Sequence, residues 1–131
     1  MATVLDPETS SSAQLRILVV EADPHVRAVA VDTLEEAGFE VIEAATADRA
    51  AIILHARNDP SVVFTDAVTP GELNGLDLAR MALILHPQIV AIVVAGALPP
   101  GFSSVAPDAR VLPKPYRMAE VIRLIHELTE D

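Results

Sequence analysis

Residues Ser61 to Gly75 read SVVFTDAVTPGELNG. Val62, Val63 and Phe64 make a short apolar run bounded by turn residues, the pattern of a strand buried on both faces. The run closes on Asp66, and Pro70-Gly71 and Asn74-Gly75 follow it. An acidic side chain therefore stands at the carboxyl end of a buried strand, at the lip of a constrained turn. In open parallel sheets ligands bind at that edge. Position alone leaves two readings, a ligand-site carboxylate or one that only caps the turn.

On the amino-terminal side, Leu15 to Val20 (LRILVV) reads as another buried strand. Asp23-Pro24 then gives an N-cap followed by proline at the first helical position. The helix runs to Ala37, with Val26, Val29, Ala30, Leu34 and Ala37 on one face, and Gly38 stops it. Phe39 to Ala44 is a second strand. Thr46 caps a second helix, Ala47 to Arg57, with Ala50, Ile53 and Leu54 inward, and Asn58-Asp59-Pro60 breaks it. On the carboxyl side, Gly75 opens a helix to His86 that carries Leu76, Leu78, Ala79, Leu83 and Ile84, and Pro87 ends it. Ile89 to Ala95 (IVAIVVA) is a fourth strand. Gly96 to Asp108 is rich in proline and glycine, so a helix there is short and weak. Arg110 to Leu112 is a brief fifth strand, and Arg117 to Glu130 is an amphipathic helix with Met118, Val121, Ile122, Ile125 and Leu128 on one stripe. Five strands alternating with helices imply a parallel sheet covered on both faces.

The chain has 131 residues, of which 51% are hydrophobic and only 3% aromatic, so one domain is expected with a core of Val, Ile, Leu and Ala. Residues 1–14 are polar, Ser-rich and aperiodic, and read as a disordered arm ahead of a domain spanning 15–131. No apolar run approaches the ~18 residues of a membrane span, and no secretory signal opens the chain. The absence of cysteine excludes disulfides and thiolate chemistry and fits a cytoplasmic location. A formal net charge of −10 repels the DNA backbone, so no nucleic-acid partner is expected. Its plainer consequence is solubility.

Three charged groups fall at the carboxyl ends of predicted strands. Glu21 follows the first, Asp66 ends the third and Lys114 follows the fifth. If the first and third strands are neighbours, two carboxylates face each other with Lys114 as the opposing charge. Mutual repulsion raises one carboxyl pKa unless a cation intervenes. Mg²⁺, which prefers oxygen ligands, suits that place. A carboxylate flanked by a cation and a lysine has the makings of a phosphoryl acceptor. His25, His55, His86 and His126 are scattered without metal spacing and read as surface residues. No glycine-rich phosphate loop follows the first strand, which argues against a nucleotide-binding module.

The motifs Ile17-Leu18-Val19-Val20-Glu21, Asp66 with Pro70-Gly71 and Asn74-Gly75, and Lys114-Pro115-Tyr116 together resemble the receiver domain of two-component response regulators. The resemblance spans Leu15 to Thr129. It implies a flavodoxin-like (βα)5 fold, a parallel five-stranded sheet of order 2-1-3-4-5. It implies Asp66 as phosphoacceptor, Lys114 as the lysine touching the phosphoryl group, a cis peptide at Lys114-Pro115, and Mg²⁺ held near Glu21 and Asp66. It also implies a histidine kinase or phosphotransfer protein as partner, and a downstream protein that reads the last helix and the region between the fourth and fifth strands. A homodimer is left open.

Three positions depart from the family pattern. Ala22 stands where a second acid, the direct metal ligand, is expected, so Mg²⁺ binding should be weak. Val94 is matched to the hydroxyl residue that contacts the phosphoryl group, and Val111 to the aromatic switch. Asp23 is better used as a helix cap than as a substitute ligand. The reading is a non-enzymatic, single-domain receiver that accepts phosphate on Asp66. The alternative is a degenerate receiver that binds partners without phosphorylation. A phosphate-ester hydrolase would want a second acid beside Asp66, and Val68 two residues on argues against it.

Overall fold

The computed structural model describes residues 14–96 and 108–129. The expected disordered arm and the expected short helix after the fourth strand lie outside these, apart from Gln14 and the segment's two ends. Five strands are described: β1 (Arg16–Val20), β2 (Glu40–Ala44), β3 (Val62–Asp66), β4 (Val90–Ala95) and β5 (Arg110–Pro113). Four helices accompany them: α1 (Pro24–Glu36), α2 (Ala47–Ala56), α3 (Gly75–Leu85) and α4 (Met118–Thr129). The strands form one parallel sheet of order β2-β1-β3-β4-β5. This is the flavodoxin-like order expected.

The apolar runs of β1, β3 and β4 occupy the three central places because both faces of these strands are buried. On one face Leu18, Val63 and Val93 pack under Leu54 of α2 and Leu78 and Ala82 of α3. On the other, Ile17, Phe64 and Ile92 pack under Leu34 of α1 and Val121 and Ile125 of α4. The edge strands β2 and β5 are mostly half-exposed.

Helix starts follow their caps. Asp23 Oδ1 accepts from His25 N at 2.8 Å and Val26 N at 3.2 Å, with Pro24 next in the chain. Thr46 accepts from Arg49 N, and Asn74 and Asp77 form a reciprocal capping box at α3.

Several apolar positions are corrected. Val26 and Val29 of α1 are 42% and 59% exposed, and Val31 is buried in their place, with Ala30 and Leu34. Ala37 is exposed as the C-cap. α1 packs against β1 and β2 at one side of the sheet, next to α4, and only the narrow stripe of Ala30, Val31 and Leu34 is buried. Ile84 of α3 is likewise 69% exposed, while Ala82 is fully buried. His86 is not a free surface residue: its Nε2 lies 2.8 Å from the carbonyl oxygen of Leu54, linking the ends of α2 and α3.

Candidate functional site

Parallel strands end together, so Glu21, Asp66 and Lys114 reach one edge of the sheet. β1 and β3 are neighbours, with Val20 paired to Thr65, and Asp66 is level with Val94 of β4. Lys114 leaves β5 beside β4, its backbone N–H donating to Ala95 O. The Lys114 Nζ to Asp66 Oδ2 distance is 2.6 Å, with the Asp66 side chain 14% exposed and that of Lys114 42%. Asp66 Oδ1 accepts from Val68 N at 3.2 Å. Asp66 is thus a turn acceptor through one oxygen and an ion-pair partner through the other. The Lys114–Pro115 peptide is cis.

The strand end that carries Asp66 is held by Thr65 and Asp48, which had no sequence signal of their own, and by Gly71 and Gly75 of the quoted motifs. Thr65 Oγ1 donates to the Asp66 carbonyl at 2.9 Å. Gly75 N donates to Ala67 O at 2.9 Å, and α3 approaches so closely that a Cβ at Gly75 would collide with the Asp66 carbonyl. The loop between β3 and α3 is fastened from α2: Asp48 accepts from Glu72 N at 3.0 Å and Leu73 N at 2.8 Å. Gly71 fits there with φ +109°, and a Cβ on it would run into the Asp48 carboxylate.

Glu21 reaches the same edge, but its Oε2 accepts from Asp23 N at 3.0 Å, and its carbonyl accepts from Arg27 Nη1 at 2.8 Å. Hydrogen bonds from the Val26 and His25 N–H groups hold the Asp23 carboxyl below the usual carboxylate range. Asp23 is committed to α1. Ala22 is exposed and supplies no carboxylate. Among the described residues, no group of three or more His, Cys, Asp or Glu side chains comes together to hold a cation. With two carboxylates at the edge, each already accepting a hydrogen bond, the donor set does not fit a tightly held divalent ion.

Val94 is buried at 2% exposure among Phe64 and its neighbours, level with Asp66 on the next strand, and Val111 is half-buried in β5 opposite Val93. Neither Val94 nor Ala95, the last residues of β4, carries a hydroxyl. Tyr116 was noted in the sequence only as the third residue of a motif. In the structure its ring meets Phe64 edge-on, with centroids 5.9 Å apart. Tyr116 lines a small cleft of about 10 Å³ with Glu21, Val26, Phe64, Asp66 and Val94. Burial, and then the charges of Glu21 and Asp66, push the Tyr116 phenol above its ordinary pKa. A larger concavity of about 660 Å³ lies near Leu15, Ser61 and Ile89, at the amino ends of the strands, and has no part in this site.

A parallel sheet of this order with an aspartate–lysine pair at its carboxyl edge defines a receiver-type α/β module. A family model described as the response regulator receiver domain matches residues 17–126. The response regulator receiver protein CpdR of Brucella abortus is 32% identical over 118 residues, covering 86% of this chain and 95% of CpdR. A CheY-like response regulator receiver domain from Methanospirillum hungatei superposes with a TM-score of 0.81 at 26% identity, covering 89% of this chain and 95% of the other. Response regulator TrrA of Thermotoga maritima, whose structure is a complex with Mg²⁺-BeF, shares the fold at a TM-score of 0.75 and 23% identity, covering 87% of this chain and 98% of TrrA. The chain belongs to the response regulator receiver domain family, the signalling modules of two-component systems. Among the described residues, no helix is long and apolar enough to cross a membrane.

Proposed function

We propose that the chain accepts a phosphoryl group on Asp66 from a histidine kinase or phosphotransfer protein and works as a phosphorelay receiver. The observation that carries this reading is the 2.6 Å pair between Lys114 Nζ and Asp66 Oδ2 at the carboxyl edge of a central strand. An Asp66 carboxylate oxygen attacks phosphorus, the new O–P bond forms, and the donor's N–P bond breaks with its electron pair returning to the histidine nitrogen. Negative charge on the transferring phosphoryl oxygens falls beside the Lys114 ammonium, which is already in place. The fastening of Asp66 by Thr65 and Val68, and of the next residue, Ala67, by Gly75, limits the reorganisation needed for attack. The cytoplasm is the expected location, and the outward reader is a protein meeting α4 and the region between β4 and β5.

The test is intact mass after incubation with acetyl phosphate and Mg²⁺, followed by peptide mapping. One phosphoryl adduct is expected, on Asp66, and none on Asp66→Asn. An adduct on Glu21 or Asp23 would refute the assignment. A chain that never labels, from acetyl phosphate or a phosphorylated kinase, would instead be a receiver that binds partners without this chemistry.

A further inference from the structure

We propose that Tyr116 is the residue that registers the phosphoryl group, its phenol O–H donating a hydrogen bond to a phosphoryl oxygen on Asp66. This rests on the reading of Asp66 as phosphoacceptor and adds to it a sensing residue.

The end of β4 offers no hydroxyl to a group on Asp66, since Val94 and Ala95 stand there. On the face of the sheet where Val94 lies, Tyr116 brings the one phenol of the chain to the wall of the cleft that Glu21 and Asp66 also line. Among the described residues its hydroxyl has no hydrogen-bond partner, whereas both Asp66 oxygens and the Glu21 carboxylate are engaged. A half-buried hydroxyl without a partner favours a new acceptor placed within its reach.

Freedom to move points to the same residue. The cleft beside Asp66 holds about 10 Å³, room for one water-sized group. Val19, Val20, Phe64 and Val94 are strand residues at most 4% exposed, fixed between helices and sheet. Tyr116 is half-exposed and lies between β5 and α4, outside both elements. It can shift by sliding along Phe64 while its hydroxyl turns to a phosphoryl oxygen; Val26 and Glu21 on the same wall are also accessible but carry no side-chain hydrogen-bond donor. α4 begins two residues later at Met118, so a shift of Tyr116 is passed directly to that helix.

The chain holds one tyrosine and no tryptophan, so its near-ultraviolet absorbance and fluorescence report on Tyr116 alone. The full chain is labelled with acetyl phosphate and Mg²⁺, and occupancy of Asp66 is fixed by intact mass. Labelling is expected to change the tyrosine signal in proportion to occupancy, with no change in Asp66→Asn under the same treatment. Tyr116→Phe keeps the ring against Phe64 and loses only the hydroxyl. It is expected to label, and its phosphoaspartate ³¹P resonance is expected to shift from that of the unmodified protein. A labelled protein with a silent tyrosine, or an unchanged ³¹P resonance in Tyr116→Phe, overturns the sensing role and leaves Asp66 as acceptor. Failure of the unmodified protein to label at all overturns both.

Discussion

Asp66 shows how the placement of a single side chain is set by its neighbours. Its carboxylate is anchored by Val68 N on one oxygen and Lys114 on the other, and its carbonyl by Thr65. The opposite holds at Ala22, where the chain has a methyl group in a place that a carboxylate could occupy at the edge of β1. Ligand charge count sets affinity at all-oxygen cation sites. Ala22→Asp should therefore tighten Mg²⁺ binding by about tenfold, which corresponds to ~1.4 kcal/mol. A titration of both proteins at one ionic strength reads this, and equal affinities would show that the position does not face the ion. Asp23 should not substitute: Asp23→Asn retains a capping oxygen, and its Mg²⁺ affinity should match that of the unmodified protein.

At the scale of elements, the site is held in register by the start of α3. Asn74 and Asp77 close a capping box, and Gly75 brings the helix against the end of β3. Asn74→Ala should cost about 1 kcal/mol, the usual value of a lost N-cap, read as a lower urea midpoint with unchanged slope. Gly75→Ala is a different case because the added Cβ meets a backbone carbonyl, which cannot turn aside as a side chain does. It should lose about 1–3 kcal/mol and should also lower labelling of Asp66, since the carbonyl that must move belongs to the acceptor itself. Gly96→Ala is the control, because among the described residues nothing stands within 4 Å of its added Cβ. If Gly75→Ala labels as well as that control, α3 does not position the acceptor.

For the whole molecule, two apolar layers on opposite faces of one sheet supply the stability, and the chemistry sits at the sheet's edge, outside both. Leu78 is fully buried in the layer under α2 and α3. Leu78→Ala should cost about 2–5 kcal/mol by transfer loss and cavity formation. Ile84, on the same helix but 69% exposed, should change stability by no more than about 0.5 kcal/mol when cut to Ala. Chemical denaturation of the pair tests the burial assignment on α3, where periodicity alone put both residues inward.

What the sequence determined by itself were the features that depend on a few adjacent residues. The runs LRILVV, VVF and IVAIVV specify strands buried on both faces. Asp23-Pro24, Thr46 and Asn74 specify where helices begin, and Asp66 and Lys114 could be placed at strand ends. The parallel order followed from the alternation of elements, because a crossover helix leaves few other ways to pack. Which helix residues face inward was less legible: 3.6-residue periodicity gives a stripe but not its centre, and the narrow contact of α1 with the sheet decided that Val31 is buried and Val26 and Val29 are not. Only the tertiary structure decided that Asp48 of α2 fastens the loop behind Asp66, that Gly75 is required by a carbonyl rather than by its own dihedral angles, and that Tyr116 stands beside Asp66 against Phe64. The Asp48 and Tyr116 contacts join residues far apart in the chain, and the Gly75 contact depends on how the helix lies on the strand. Such contacts are set by how strands stack and how closely a helix can lie on them, and no local pattern of residues encodes that distance.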